Sequence, residues 1–425
     1  YARCDPELFC ILSIKDGATT GILTVNTISE PFSLLSSVGV IKPSCGLISA
    51  YMALVMQSPF FYQAMREGMS GVAITRVTLS KLGDAKFPLP PLAEQSRIVT
   101  RVEELMQLCD ALEAKGRLEA AQHARLVSTL LATLAGSASP AALAGNWERV
   151  SSHFDLLLDR PEAVDALEQA ILQLAVRGLL VPQNPQDEPA SVLLARIRAE
   201  KDRLIAERKI KRDKPLAAIA EEERPFGLPS GWEWVRLGAA SKKITDGTHH
   251  SPANFPSGDF MYLSAKNIKS WGIDLSSATF VPKAVHDEIF ARCDPEFGDI
   301  LYIKDGATTG VLTINTIRDP VSLLSSVGVI KPSCGLTSDY MALVMQSPFF
   351  YQAMRDGMTG VAITRVTLSK LADAKFPLPP FLEQSRIVAR VASLRHLCAD
   401  LRQRLAARQT TQAQLAEALV ETAGA

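Results

Sequence analysis

The chain has 425 residues, with 45 Lys plus Arg against 45 Asp plus Glu, and so carries no formal net charge. A hydrophobic fraction of 47% excludes a wholly disordered chain. No uncharged apolar run reaches the roughly 18 residues that a membrane-spanning helix needs, and at about 150 residues per domain the length allows two to four domains. A polypeptide that holds nucleic acid by bulk charge alone is normally basic, so nucleic-acid binding here would need local patches, shape or partners. Seven cysteines without a CxxC pair give neither a disulfide framework nor a zinc ribbon, and they fit a reducing cytoplasm.

An internal duplication dominates the sequence. Residues 1–136 realign on 290–425 with a constant offset of 289 and no gaps, and 82 of the first 99 positions are identical. ARCDPE at 2–7 returns at 291–296, IKDGATTG at 14–21 returns at 303–310, and GVAITRVTLSKL at 71–82 returns at 360–371. A unit this long is no solenoid repeat. It predicts a two-fold duplication in which each half is one globular domain followed by one helix. Residues 226–289, 64 positions, have no counterpart in the first half. The first domain therefore reads as the C-terminal part of a domain whose opening is missing.

In chain order, the first copy closes on FPLPP at 87–91, and a long helix is predicted next. Ile98, Val102, Leu105, Cys109 and Leu112 step by 4, 3, 4 and 3, the a/d seam of a coiled coil. Two more helices are predicted at 162–177, with Gly178 as C-cap, and at 191–210. The run at 196–214 holds nine basic and four acidic residues and reads first as a solvated helix face. Residues 226–380 read as a mixed α/β domain, with short strands at 299–303, 310–314 and 327–331, helical spacing over 338–355, and a stiff extended exit at 375–380. The seam returns in Ile387, Val391, Leu394, Cys398, Leu401 and Leu405. Two such helices would bury their seams on each other, with packing of each helix on its own domain as the alternative.

Catalytic motifs are missing. There is no Walker A sequence, no GxGxxG, no HExxH and no GxSxG, and no two histidines stand three or four apart. Asp299 and Lys304 in GDILYIKDG resemble a metal-dependent nuclease strand. However, the first copy has Cys10 in place of Asp299 while keeping Lys15 and Asp16, which argues against a catalytic carboxylate. GATTG at 17–21 and 306–310 is compatible both with a phosphate-facing nest and with a hairpin bend that needs φ > 0. TDGTHHSP at 245–252 reads as a polar loop, either a hydrogen-bonding surface for DNA or merely solvated.

The strings FPLPPLAEQSRIV (87–99) and FPLPPFLEQSRIV (376–388), LPSGWEWVRLG (228–238) and the stretch 171–204 together resemble the specificity subunit of type I restriction–modification enzymes. The resemblance covers nearly the whole chain. It implies an α+β architecture with two mixed α/β target recognition domains, separated by long helices that form an antiparallel coiled coil, as a pseudo-two-fold repeat. The expected division is 1–91 for the first recognition domain, 92–136 for the first spacer helix, 137–225 for a central helical region, 226–380 for the second recognition domain and 381–425 for the second spacer helix.

The resemblance further implies a non-catalytic subunit that directs partners to a split site in double-stranded DNA. Those partners are two modification (methyltransferase) subunits and the restriction subunits, with no membrane involved. No cofactor is expected in this chain, and S-adenosylmethionine, ATP and Mg are expected on the partner subunits. Candidate DNA contacts are the polar residues of predicted loops. In the second domain these are Lys242, Lys243, Thr245, Thr248, His249, His250, Lys266, Asn267, Lys304, Thr308, Thr309 and Arg365, and in the first Lys15, Thr19, Thr20 and Arg76. If the missing opening matches 226–289, both domains read one short sequence and the target is an interrupted palindrome. The alternative is a truncated scaffold that docks methyltransferase subunits without recognising a site.

Overall fold

The computed structural model describes residues 6–17, 19–66, 77–210, 212, 215–356 and 365–424. The chain forms two compact units, residues 1–121 and 122–425, and the boundary falls inside a long helix.

In the first unit, β1 (Ile11–Ile14), β2 (Leu23–Val25) and β3 (Val38–Ile41) form an antiparallel sheet in the order β2-β1-β3. The helices α1 (Ser49–Gln57), α2 (Pro59–Arg66) and α3 (Leu79–Gly83) follow, and a core of Ile11, Ala53, Met56, Phe61, Met65 and Val77 forms on one face. On the other face Leu12 and Ile14 are half-exposed. The unit ends in α4 (Leu92–Ala135), a helix of 44 residues.

The second unit begins with the last turns of α4, where Val127, Leu131 and Leu134 are buried. There follow α5 (Pro140–Ser151), α6 (Phe154–Leu157), α7 (Pro161–Val176) and α8 (Ala190–Ala206). Helix α7 starts on Pro161 and stops at Gly178, whose φ of 69° suits glycine while Leu179 N–H donates to Leu174 O at 3.0 Å.

The second copy of the domain then runs β4 (Glu233–Arg236), α9 (Leu237–Ala240), β5 (Ser241–Asp246), β6 (Phe260–Leu263), β7 (Ile268–Lys269), β8 (Gly272–Ile273) and β9 (Thr279–Val281). It continues with α10 (Lys283–Cys293), β10 (Ile300–Ile303), β11 (Leu312–Ile314), β12 (Ser322–Leu323) and β13 (Val327–Pro332). It closes through α11 (Ser338–Gln346), α12 (Pro348–Arg355), α13 (Leu368–Asp373) and β14 (Lys375–Leu378), and α14 (Phe381–Gly424) follows.

The sheet β11-β10-β13-β5 repeats the first unit's sheet strand for strand. Ile300 faces Ile314 as Ile11 faces Val25, and β5 is the added edge. All four residues of β10 are buried because both of its faces are covered. Ile300 and Tyr302 enter the core shared with the helices. Leu301 and Ile303 enter a second core with Tyr262, Leu263, Val281 and Ile289. Those last four residues belong to the region 226–289, which has no counterpart in the first copy.

Each exit helix is joined to its own domain in the same way. Tyr51 Oη donates to Pro88 O at 3.0 Å, and Tyr340 Oη to Pro377 O at 3.0 Å. Gln95 accepts from Ile48 N at 2.9 Å and donates to Gly46 O at 3.0 Å, while Gln384 accepts from Thr337 N and donates to Gly335 O, both at 3.0 Å. The glutamine of the repeated EQS string thus fastens the first turn of each long helix.

Three expectations need refinement. The helix over 338–355 is two helices, because Pro348 has no N–H to continue the ladder and Ser347 (ψ 149°) caps the second through Phe350 N. The exit over 375–380 begins as a strand paired antiparallel with β4. Within the second unit, the seam of α14 packs in one core with α7, and Arg395 Nε lies 2.9 Å from Glu168 while Arg402 Nη2 lies 2.6 Å from Asp165. Numbers fall along α7 as they rise along α14, so these two helices run antiparallel. Ile387 and Val391 are buried there, whereas Leu105 and Leu112 of α4 are exposed.

Candidate nucleic-acid interface

The loop 247–251 leaves the end of β5 pressed against β12. A Cβ on Gly247 would stand 1.9 Å from Leu323 O, so only glycine allows the approach. Thr248 N–H donates to Leu323 O at 2.9 Å, and Ser325 N–H to Thr248 O at 2.8 Å. The loop is therefore stitched to the domain rather than free.

Beside it runs a chain of alternating charge. Asp246, 2% exposed, accepts from Arg292 Nη2 at 2.7 Å and has Lys304 Nζ at 3.3 Å and His249 Nε2 at 3.5 Å. Lys304, itself buried, reaches Asp305 at 3.2 Å, and Asp305 accepts from Arg365 Nε at 2.9 Å. The backbone fixes the order, since Lys304 N–H donates to Ser326 O and Val366 N–H to Lys304 O. Three cations face two carboxylates, a local excess of one positive charge within a stretch (226–380) that holds 14 basic and 14 acidic residues. Ions buried this deeply are tolerated because each is paired and hydrogen-bonded.

Arg292, in the last turn of α10, is the residue that sequence reasoning missed. Its Nε donates to Asp246 O (3.2 Å) and Gly247 O (3.1 Å), and its Nη2 also reaches His249 Nε2 at 2.7 Å. It shapes the loop from outside. The signal available was ARCDPE, which repeats an arginine at this position in both copies.

The sequence candidates separate by exposure. His249, His250, Lys266, Thr308, Arg365 and, in the first unit, Thr19 are exposed. Thr245 is buried and donates to Arg292 O at 3.3 Å, and Thr248 is buried with its hydroxyl 3.1 Å from His250 Nδ1. Lys243 pairs with Asp294, while Lys242 lines a mixed-charge cavity of about 400 Å3 with Glu200 and Lys331. Asn267 is a buried loop organiser that accepts from Ser264 N and donates to Asp274 O, both at 3.0 Å. Thr309 and Thr20 are buried and donate to Gly306 O and Gly17 O, each at 2.6 Å. In the first unit Lys15 lies 3.5 Å from Asp16, and Arg76 lies outside the described residues.

GATTG is a hairpin bend. Gly306 and Gly310 have φ of 101° and 102°, and the N–H groups of Thr309, Gly310 and Val311 are used within the turn. Asp299, weighed above as a nuclease carboxylate, is a structural ion. It accepts from Lys331 Nζ at 2.8 Å and from Glu296 N at 2.7 Å. Burial opposes the charge on Lys331, but its hydrogen bond to Asp299 and the field of Asp299, Asp294 and Glu296 prevail and hold its pKa above the ordinary value. Among the described residues, no group of three or more His, Cys, Asp or Glu side chains could hold a metal ion. No described helix is long and apolar enough to cross a membrane.

The model of the type I restriction modification DNA specificity domain matches residues 9–123 and 229–408. The chain is 36% identical over 393 residues to the type I restriction enzyme EcoAI specificity subunit of Escherichia coli, and 34% identical over 389 residues to the EcoEI specificity subunit of the same organism. These alignments cover 90% and 88% of this chain and 66% and 64% of those proteins, so the chain spans a little under two thirds of their length. One solved chain, from work on complex assembly and conformational transition of the type I R-M system, matches with a TM-score of 0.51 at 17% identity. That match covers 98% of this chain and 82% of the other, and it supports the fold. The duplicated domain, the repeated exit joint and a family match over both copies lead to one conclusion: the chain belongs to the type I restriction modification DNA specificity domain family.

Proposed function

We propose that this protein is the non-catalytic, DNA-reading subunit of a type I restriction–modification complex in the cytoplasm. The observation that carries the reading is the duplication: two copies of one mixed α/β domain, each fastened by the same Tyr–Pro and Gln joint to a 44-residue helix. Two reading heads on stiff rods gain effective concentration only where both half-sites stand at the matching spacing. The proposed division is the one expected from the sequence: recognition domains at 1–91 and 226–380, spacer helices at 92–136 and 381–425, and a central helical region at 137–225.

Recognition of a split double-stranded site falls to the exposed polar residues His249, His250, Lys266, Thr308 and Arg365, and in the first copy to Thr19 and Arg76, the sequence equivalents of Thr308 and Arg365. Modification subunits that carry S-adenosylmethionine, and restriction subunits that use ATP and Mg, are the partners expected to supply the chemistry. The test is co-expression with the cognate modification subunits in a methylation-free host, followed by mapping of methylated bases. A two-part methylated motif that vanishes when this chain is omitted is the expected result. Methylation elsewhere or none at all, despite an assembled complex, would leave only a docking scaffold.

A further inference from the structure

We propose that Arg365 is a specificity-determining residue that reads the N7/O6 edge of a guanine in the major groove. This deepens the DNA-reading role and rests on it. Arg365 is exposed, with 60% of its side chain accessible, yet it is not loose. Its Nε is held by Asp305 at 2.9 Å, and Asp305 is only 13% exposed and itself held by Lys304. Asp305 and Arg365 also form a backbone bridge. Nη1 and Nη2 have no partner among the described residues. The side chain therefore presents two parallel donors at a fixed place, the geometry that matches the paired acceptors of guanine.

The charge arrangement separates this from a phosphate contact. Arg365 is paired with Asp305, an anion it shares with Lys304, in a cluster whose excess is a single positive charge, and residues 226–380 as a whole are charge-balanced. A paired guanidinium loses much of its long-range pull on phosphate but keeps its directional donors. Arg292 is the contrast. Its Nε and Nη2 are spent on Asp246, Gly247 and His249, so it positions the loop rather than reading. The first copy repeats the scaffold. Lys15 is followed by Asp16, Val77 N–H donates to Lys15 O at 2.8 Å as Val366 N–H does to Lys304 O, and Arg76 occupies the place of Arg365 in the sequence.

The test uses the full chain assembled with its modification subunits. DNA enriched from a random library by the wild-type complex is substituted one guanine at a time with 7-deazaguanine, which lacks the N7 acceptor. Affinity is then measured for the wild type, R365A and R365K. The wild type should lose about 5- to 150-fold at the sensitive guanines. Both variants should lose that sensitivity at one guanine per second-copy half-site and retain it elsewhere. R365K keeps the charge at an exposed position, so it guards against a folding artefact. Guanine sensitivities unchanged in both variants, or R365K binding like the wild type, would overturn the inference while leaving the DNA-reading role intact. A wild-type complex that enriches no sequence would remove that role and this inference with it.

Discussion

At the residue scale, single atoms decide what this surface can do. Gly247 is required because Leu323 O occupies the space of a Cβ. G247A is expected to cost about 1–3 kcal/mol of stability, in the range of overpacking, and to weaken DNA binding by shifting His249 and His250. Denaturant melts and a gel-shift on the same preparation check it. Lys331, 2% exposed among Asp294, Glu296 and Asp299, is expected to cost about 3–5 kcal/mol when replaced by methionine, because the buried carboxylate of Asp299 loses its cation. His286 is stacked on Phe260 at 4.1 Å beside Ser322, and burial pushes its pKa below the ordinary value. The folded state resists protonation of the ring more than the unfolded chain, which takes up a proton near pH 6.5. Its contribution is therefore intact above that pH and lost as the pH falls below it. Thermal melts between pH 7.5 and 5.5 should show a smaller decline for H286Q than for the wild type. Arg292 was hidden from sequence reasoning because its partner Asp246 lies 46 positions away, and the buried threonines misled because their hydroxyls serve turns rather than solvent.

At the element scale, the two copies let one substitution be made twice in nearly identical sequence. Glu383 is 1% exposed and accepts from Trp232 Nε1 at 3.0 Å and Gln183 Nε2 at 2.8 Å, while its equivalent Glu94 is exposed. E383Q sets an amide NH2 against one of these two donors, leaving it without an acceptor, and should cost about 1–3 kcal/mol, whereas E94Q should stay within about 0.5 kcal/mol. Equal effects would mean that the two helix starts share one environment. The seam spacing made both long helices legible, since a 4–3 stripe has helical period, but it did not say that the edge is buried in α14 and exposed at Leu105 and Leu112 of α4. It could not name the partner. Arg386 meets Asp187 and Arg402 meets Asp165 across about 200 residues of sequence, and only the folded chain brings them together. The break at Ser347–Pro348 was legible in the proline, but the uninterrupted apolar spacing outweighed it.

At the scale of the whole molecule, the proposed DNA-reading role makes charge balance a prediction about salt. With 14 basic and 14 acidic residues in the second head, few phosphates are neutralised by it. The salt slope of that head's contribution is expected to be shallow, weaker than about −3 for a Z of about 3. Titrating affinity against KCl checks this. The repetition of the Lys–Asp turn and of the following arginine in both copies predicts two half-sites related by two-fold symmetry in the methylation map. Unrelated half-sites would show that the unshared region 226–289 sets the reading instead. The strand by which the chain enters the second head, β4, is hydrogen-bonded to the strand by which it leaves, β14, with Trp234 opposite Pro377. Entrance and departure thus share one doorway, and whatever is strung between them is a cassette. Under the proposed DNA-reading role, a foreign insert whose ends form the same two-strand doorway is expected to change the sequence that is read while leaving the exit helix in place.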